Sequence, residues 1–221
     1  MLQQIKILSL QKVTHDVLQI RTEKPADLSF HPGQAADISI NKEGWQDEIR
    51  PFTFTCIPEN DYLEFTIKTY PSRKGVTNEL LTLKPNDSLH LHGVFGDINY
   101  QGEGLFIAGG AGITPFISIF RHLHSKGEVG NNKLIFANKT SADIILEQEF
   151  KTLLGDHFIN ILSDEKKEGY ANGFITEDFI QQHSRGLNKF YLCGPPPMMD
   201  AVEKHLAHLQ VDEKLIIKEA F

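Results

Sequence analysis

The sequence predicts two domains, an antiparallel β-barrel followed by an α/β domain built on a parallel sheet. Three observations carry this expectation. Up to about residue 100 the chain falls into short β-prone runs separated by turn residues. From about Gly104 strands and helices alternate. Twice in that second part an apolar run ends in a glycine turn from which a helix starts, at Gly109-Gly110-Ala111-Gly112-Ile113-Thr114-Pro115 and at Cys193-Gly194-Pro195-Pro196. Evenly spaced short strands read as a barrel. Alternation reads as a parallel sheet covered on both faces.

The expected barrel strands are Ile5–Leu10, Val17–Thr22, Ala35–Ile40, Pro51–Cys56, Leu63–Thr69 and Leu89–Val94. Pro25, Pro32-Gly33, Asn60-Asp61 and Pro85-Asn86-Asp87 punctuate them. One helix, Thr77–Leu83, follows Gly75. The stretch 99–104 holds two glycines and little apolar content, which places the boundary there and gives domains 1–100 and 101–221. In the second domain the expected strands are Leu105–Ala108, Lys133–Ala137, Phe158–Leu162, Lys189–Cys193 and Leu215–Lys218. The helices between them are Pro115–His124, Leu146–Leu154, Thr176–His183 and Pro196–Leu209.

Composition narrows the function. A chain of 221 residues with 40% hydrophobic content can build one large or two modest cores. A net charge of -7 argues against nucleic acid, whose phosphates call for a basic face. The start, Met1-Leu2-Gln3-Gln4-Ile5-Lys6, lacks the apolar core of a signal peptide. No apolar run reaches the roughly 20 residues that span a bilayer. A cytoplasmic monomer without membrane contact is expected. The two cysteines, Cys56 and Cys193, are too few for a four-cysteine iron–sulfur cluster or a structural zinc. No metal is expected. His90 and His92 share a strand face but lack a third ligand, and His122 and His124 point apart on a helix. The Glu147-Gln148-Glu149 and Glu165-Lys166-Lys167-Glu168 runs read as solvated faces, and Met198-Met199 as core at a helix start.

The glycine turns point to an anion. Glycine lets backbone approach a phosphate closely, and the free N–H groups of a helix start carry partial positive charge. Pro115 suits a first helical turn. Lys74-Gly75-Val76-Thr77 offers a second anion site of the same kind, or simply a capped helix. Arg50-Pro51-Phe52-Thr53 puts a fixed cation, an aromatic ring and a hydroxyl within four residues. By itself that run reads more readily as a half-buried strand with a surface arginine than as a ligand site.

Taken in order, these motifs resemble the ferredoxin–NADP reductase family of flavoproteins over nearly the whole chain. Phe30-His31-Pro32-Gly33-Gln34 is similar to its barrel turn, Arg50-Pro51-Phe52-Thr53 to its flavin motif, and Gly75-Val76-Thr77 to its flavin-phosphate motif. Gly93-Val94-Phe95-Gly96-Asp97 resembles the barrel exit, and the two glycine turns resemble the nicotinamide-nucleotide motifs. Glu219-Ala220-Phe221 resembles the acid–aromatic ending that stacks on flavin. The departure is Phe52, where the family uses tyrosine. Stacking is kept and a hydroxyl contact is lost.

The resemblance implies FAD and NADH or NADPH as cofactors. It implies that Arg50 and the amides of Gly75, Val76 and Thr77 meet the FAD pyrophosphate. Phe52 beside Pro51 stacks on the ring, Thr53 bonds near N5, and backbone from Ile67 through Tyr70, with Ile67 and Thr69 as the contacts, borders the pyrimidine edge. Gly110, Gly112, Ile113, Thr114 and Pro115 hold the nucleotide pyrophosphate. Cys193, Gly194 and Pro195 border the nicotinamide, whose donor carbon must come within about 3–3.5 Å of its acceptor. Thr53, Cys193, Glu219 and Phe221 surround the chemistry, with Phe221 stacked and displaceable and Glu219 a proton route. Cys193 is not expected to act as a nucleophile, since no basic partner is evident.

Nucleotide choice turns on other residues. Ser163-Asp164 stands where NADPH users of the family have serine–arginine. The stretch from Asn138 through Asp143 to Ile145 resembles cytochrome b5 reductases, which prefer NADH. Asp143 and Asp164 repel a 2′-phosphate, while Lys139, Lys166 and Lys167 oppose them, and NADH is favoured. The electron acceptor is expected to be separate, a flavodoxin, a ferredoxin or a small molecule. The competing expectation is a non-catalytic subunit that binds nucleotide to sense redox state or to serve a partner.

Overall fold

The computed structural model describes residues 2–70 and 72–219. They fall into two compact units, one of residues up to 96 with 114–119, the other of 97–113 with the residues from 120 onward.

The first unit is a six-stranded antiparallel sheet curled towards a barrel. Its strands are β1 (Gln3–Lys12), β2 (Val17–Glu23), β3 (Ala35–Ile40), β4 (Arg50–Thr53), β5 (Tyr62–Lys68) and β6 (Ser88–Phe95), in the order β4-β3-β6-β1-β2-β5. An isolated bridge, Phe54 to Phe65, links the residue after β4 to β5 at the opposite edge. Strand alternation builds the core. Ile5 and Ile7 of β1 are buried while Lys6 and Leu8 face out. A bulge between Ile7 and Ser9 breaks the alternation there. Phe30 stacks on Phe54 at 4.3 Å, and Phe54 tilts against Phe65 at 5.3 Å. A fully buried carboxylate, Glu64, lies in this unit. Arg21 Nε reaches it at 2.9 Å and the Thr55 hydroxyl donates to it at 3.0 Å.

Two elements differ from the expectation. The strand expected at Pro51–Cys56 is β4, which begins at Arg50 and ends at Thr53. Phe54 then leaves the ladder, its N–H donating to Gln34 O at 3.0 Å. The helix expected at Thr77–Leu83 is one α-turn, α1 (Val76–Glu79), tightening into a 3-10 turn at Leu80–Thr82. Leu83 is already extended ahead of Pro85, with ψ 157°. Gly75 is the residue before α1, so Thr77 lies inside the helix rather than capping it.

The second unit is a parallel sheet with helices on both faces. Its elements are β7 (Leu105–Gly109), α2 (Thr114–Ser125), β8 (Lys133–Asn138), α3 (Glu147–Leu154), β9 (Phe158–Leu162), β10 (Ala171–Asn172), α4 (Glu177–His183), β11 (Phe190–Cys193), α5 (Pro196–His208) and β12 (Ile216–Lys218). Residues 114–119 of α2 group with the first unit. The two-residue β10 is too short for period or composition to announce it. The sheet order is β10-β9-β8-β7-β11-β12. The chain therefore steps outward from β7 to β10, then returns to lay β11 on the other side of β7. One face packs Leu105, Ile107, Ile135 and Leu192 against Ile180, Val202 and Leu206. The other stacks Phe106 on Tyr191 at 4.0 Å and Phe120 at 4.6 Å.

Candidate functional site

The place where an open parallel sheet reverses strand order is a crevice at the carboxyl ends of its strands. Here it lies between β7 and β11, and both glycine turns are at its mouth. β7 runs into a 3-10 turn, Gly110–Ile113, that continues directly into α2 with Pro115 in the first turn. Gly110 has φ +52°, and nothing stands within 4 Å of where its Cβ would be. Gly112 is the reverse case. A Cβ there would come within 2.5 Å of the Cys193 carbonyl carbon and 2.6 Å of Gly194 N. The two turns are thus in van der Waals contact. One glycine leaves room in front of the turn and the other closes the gap behind it. Met198 fills the space next to them, where a Cβ on Gly109 would meet its sulfur at 2.5 Å. Pro195 is extended, with ψ 146°, and α5 starts at Pro196.

Cys193 ends β11, half-buried. Burial, helped by the Glu219 carboxylate, pushes its thiol up to about 12. It is a neutral thiol at physiological pH, consistent with a packing role beside a ligand and not with a nucleophile. Glu219 accepts the backbone N–H groups of Asp97 at 3.2 Å and Ile98 at 3.4 Å. Phe221 lies outside the described residues.

Beyond β7, the ends of β8 and β9 are laced together. Ser163 N–H donates to Asn138 O at 3.0 Å and Asp164 N–H to Lys139 O at 2.9 Å. Asn138 is 9% exposed, and its Nδ2 is buried without a hydrogen-bond partner. An unpaired buried donor is costly, and a bound polar group at this edge would satisfy it. The Asp143 carboxylate has structural work: its Oδ2 accepts both the N–H and the hydroxyl of Thr140 at 2.8 Å, closing a capping box. The sequence reading overlooked two residues here. Glu165, read as part of a solvated run, accepts the N–H of Ser141 at 2.6 Å. Phe174 follows Gly173, whose N–H bonds the end of β9 at Leu162 O, and its ring is 80% exposed. Its exposure is visible only in the folded structure, and nothing in the sequence marked it. The Glu147 run also departs from a solvated face. Glu147 accepts the Tyr170 hydroxyl at 2.5 Å, and Glu149 grips Arg121 at 2.5 and 2.9 Å.

In the first unit the flavin-motif residues share β4, with Thr53 paired to Ala35 and Phe52 to Ala36. Phe52 is half-buried and packs on the barrel core. Arg50 is exposed and pairs with Glu48 at 3.0 Å, while its Nη1 donates to Ile49 O at 2.7 Å. Ile67 is buried. The N–H and hydroxyl of Thr69 both donate to Asp16 O, at 2.7 and 3.0 Å, which pins the end of β5. β5 is the edge strand of its sheet, and its bridge to the β4 side is at Phe65. No atom lies within 4 Å of a Cβ on Gly75, leaving the start of α1 open. These features fit FAD, and the open space at Gly110 with the unpaired Asn138 amide fits a dinucleotide. His92 bonds Ser39 at 2.9 Å, an ordinary strand-face contact.

The family models divide the chain in the same way. An FAD-binding domain matches residues 2–97 and an oxidoreductase NAD-binding domain matches residues 106–204. NADH-cytochrome b5 reductase 1 of Aspergillus oryzae is 31% identical over 87% of this chain and 74% of that protein. The chain belongs to the ferredoxin–NADP reductase family. FAD and a nicotinamide dinucleotide are accordingly its cofactors. The reductase component of propane 2-monooxygenase from Mycolicibacterium goodii is 29% identical over 98% of this chain and 66% of its own length. The chain spans 61–66% of the first curated relatives it matches. In fold it is similar to a ferredoxin NADP+ reductase from Neisseria gonorrhoeae with bound FAD and NADP. The TM-score is 0.83 at 17% identity, covering 99% of this chain and 98% of the other. What the family models show in this chain is an FAD-binding domain followed by an oxidoreductase NAD-binding domain.

Proposed function

We propose that the chain is a reductase that takes hydride from NADH in preference to NADPH and delivers electrons to a separate acceptor. The observation that carries the donor preference is the end of β9, where Ser163-Asp164-Glu165 replaces the cations that a 2′-phosphate needs. FAD supplies the capacity to accept electrons as a pair and release them singly or in pairs.

The residues divide the remaining work. Arg50 and the open start of α1 neutralise the FAD pyrophosphate. Phe52 and Thr53 orient the ring, and the β5 edge from Ile67 to Thr69 holds its pyrimidine side. In the domain 101–221, Gly110, Gly112 and the turn through Ile113, Thr114 and Pro115 take the dinucleotide pyrophosphate. Asn138 donates its unpaired amide N–H to the bound nucleotide, and Phe174 offers a face for the adenine. Cys193, Gly194 and Pro195 bound the nicotinamide with small, uncharged groups.

For the acceptor we propose a separate redox protein such as a ferredoxin or flavodoxin, or a small molecule. The relatives' names include a cytochrome b5 reductase and an oxygenase reductase component. The chain's two cysteines cannot ligate a four-cysteine cluster. Among the described residues no helix is long and apolar enough to cross a membrane. A cytoplasmic monomer remains our working assignment.

Steady-state oxidation of NADH and NADPH with ferricyanide tests the donor preference. A higher kcat/KM for NADH is expected, and a clear NADPH preference would overturn it. A panel of purified ferredoxin, flavodoxin and cytochrome b5 then ranks the acceptors.

A further inference from the structure

Phe116 through Ile119 of α2 are all buried, and together with Thr114 and Pro115 they group with the first unit. Among them is one hydroxyl, that of Ser118. A serine inside a helix commonly turns its hydroxyl back to a carbonyl three or four residues before it. Ser118 instead donates to Cys56 O at 2.6 Å, a fully buried bond. A hydroxyl has one proton to give, so this bond excludes the other. Cys56 ends the segment that follows β4, three residues past Thr53. That segment is held from several sides. The Phe54 N–H donates to Gln34 O at 3.0 Å and the Thr55 N–H to Glu64 O at 2.8 Å. The Thr55 hydroxyl donates to the buried Glu64 carboxylate at 3.0 Å and lies 3.1 Å from the Thr66 hydroxyl. The Glu64 N–H in turn donates to Cys56 Sγ at 3.2 Å. Ser118 therefore bonds to a piece of backbone that is already fixed.

We infer that Ser118 is a positioning residue for hydride transfer: its bond to Cys56 O fixes the first turn of α2 against the segment that begins at Thr53. The inference rests on the assignment proposed above, of the flavin ring to Thr53 and of the dinucleotide pyrophosphate to Thr114 and Pro115. Thr114 lies about one helical turn before Ser118. One hydroxyl thus stands a turn away from the residues assigned to one ligand and three residues away from the residue assigned to the other. Burial of Phe116, Ile117 and Ile119 holds the helix in place but has no direction of its own. A hydrogen bond has a preferred angle and length, and it sets the slide and rotation that burial leaves free. Hydride transfer is sensitive to that setting, because a misplacement of about 1 Å can cost on the order of 100-fold in rate. Removing the hydroxyl touches neither ligand, so it acts on the rate and leaves both affinities.

The test uses the full FAD-loaded chain and follows flavin reduction by NADH without oxygen in a stopped-flow spectrometer. Ser118→Ala should lower the limiting rate constant at saturating NADH roughly tenfold, while the Kd for NADH and the affinity for FAD stay within about twofold. Partial unfolding lowers the amplitude of reduction and not its rate constant, so a merely structural role does not move this readout. Ser118→Cys keeps a weak donor. It should slow reduction less than Ser118→Ala, and it serves if Ser118→Ala does not hold FAD. Ser125→Ala is the control, because the Ser125 hydroxyl donates to His122 O within α2. Its rate should stay within about twofold of the parent's. An unchanged limiting rate in Ser118→Ala, or an equal slowing in Ser125→Ala, would overturn the inference and leave Ser118 a packing residue. Failure of the underlying assignment looks different: the parent flavin would be reduced by neither NADH nor NADPH, or Thr53→Ala would be reduced at the parent rate, and both readings would fall together.

Discussion

A Cβ placed on Gly112 would stand 2.5 Å from the carbonyl carbon of Cys193. The turn after β7 and the turn after β11 therefore meet backbone to backbone, and the contact leaves no room for a side chain. Backbone cannot swing aside as the end of a long side chain can. Gly112→Ala should destabilise the protein by about 1–3 kcal/mol, the usual cost of overpacking, and weaken NADH binding by opening the crevice. Thermal melts and NADH titration check both effects. Gly110→Ala meets open space but must hold φ +52°, so it should cost less in packing and act through backbone strain.

Arg50 is paired with Glu48, and on the assignment proposed above FAD competes with that carboxylate for it. Arg50→Ala should weaken FAD binding by about 1.5–3 kcal/mol, the range for a charge-assisted bond to phosphate. Glu48→Gln should tighten it roughly two- to fivefold, since an exposed ion pair is worth about 0.2–1 kcal/mol. Fluorescence titration of the apoprotein with FAD measures both. Equal affinities in parent and Arg50→Ala would remove Arg50 from the site.

Asn138 predicts opposite effects on stability and on binding. Asn138→Leu replaces a buried unpartnered amide with an apolar group of similar size, so the melting temperature should hold or rise. Nucleotide affinity should fall roughly tenfold, the loss of one hydrogen bond in a desolvated place. A parallel loss of both would mean that Asn138 serves packing only.

Alkaline pH should weaken the fold through its thiols. Burial raises Cys56 from 9.0 to about 11 and Cys193 from 9.0 to about 12. The folded state thus keeps protons that the unfolded chain releases. Stability from this source is complete below about pH 9 and is lost as pH rises from there towards 11 and 12. The slope is up to about 1.4 kcal/mol per pH unit for each group. Urea midpoints between pH 8 and 10.5 should fall accordingly, and iodoacetamide should label neither native cysteine at pH 8.

The buried Glu64 requires its partners. Arg21→Met removes the guanidinium 2.9 Å from a fully buried carboxylate. It should destabilise the first unit by about 1–3 kcal/mol or more, and the loss should shrink in Arg21→Met, Glu64→Gln, where no buried charge remains. Urea denaturation of the single and double variants gives the coupling energy.

Much of this architecture is written locally. Ala35–Ile40 and Phe158–Leu162 have the bounds their apolar runs and flanking turns imply, because burial of one or both strand faces selects residues position by position. The two glycine turns were legible for the same reason: a strand end, a turn without side chains and a proline-started helix are consecutive in the chain. Roles that depend on a partner distant in sequence were not legible. Glu165 looked like one charge in a solvated run, and Asp143 like a free carboxylate facing the ligand. Which one is engaged, and with what, follows from β8 and β9 lying side by side so that their trailing turns meet. The unpaired Asn138 amide, the Cys193 carbonyl against Gly112 and the Arg50–Glu48 pair are of the same kind. The sequence by itself determined the longer elements and the ligand class, since these rest on local pattern and backbone chemistry. Only the tertiary structure decided which side chains have hydrogen-bonding capacity left for a ligand, because strand pairing and packing distribute that capacity among residues far apart in the chain.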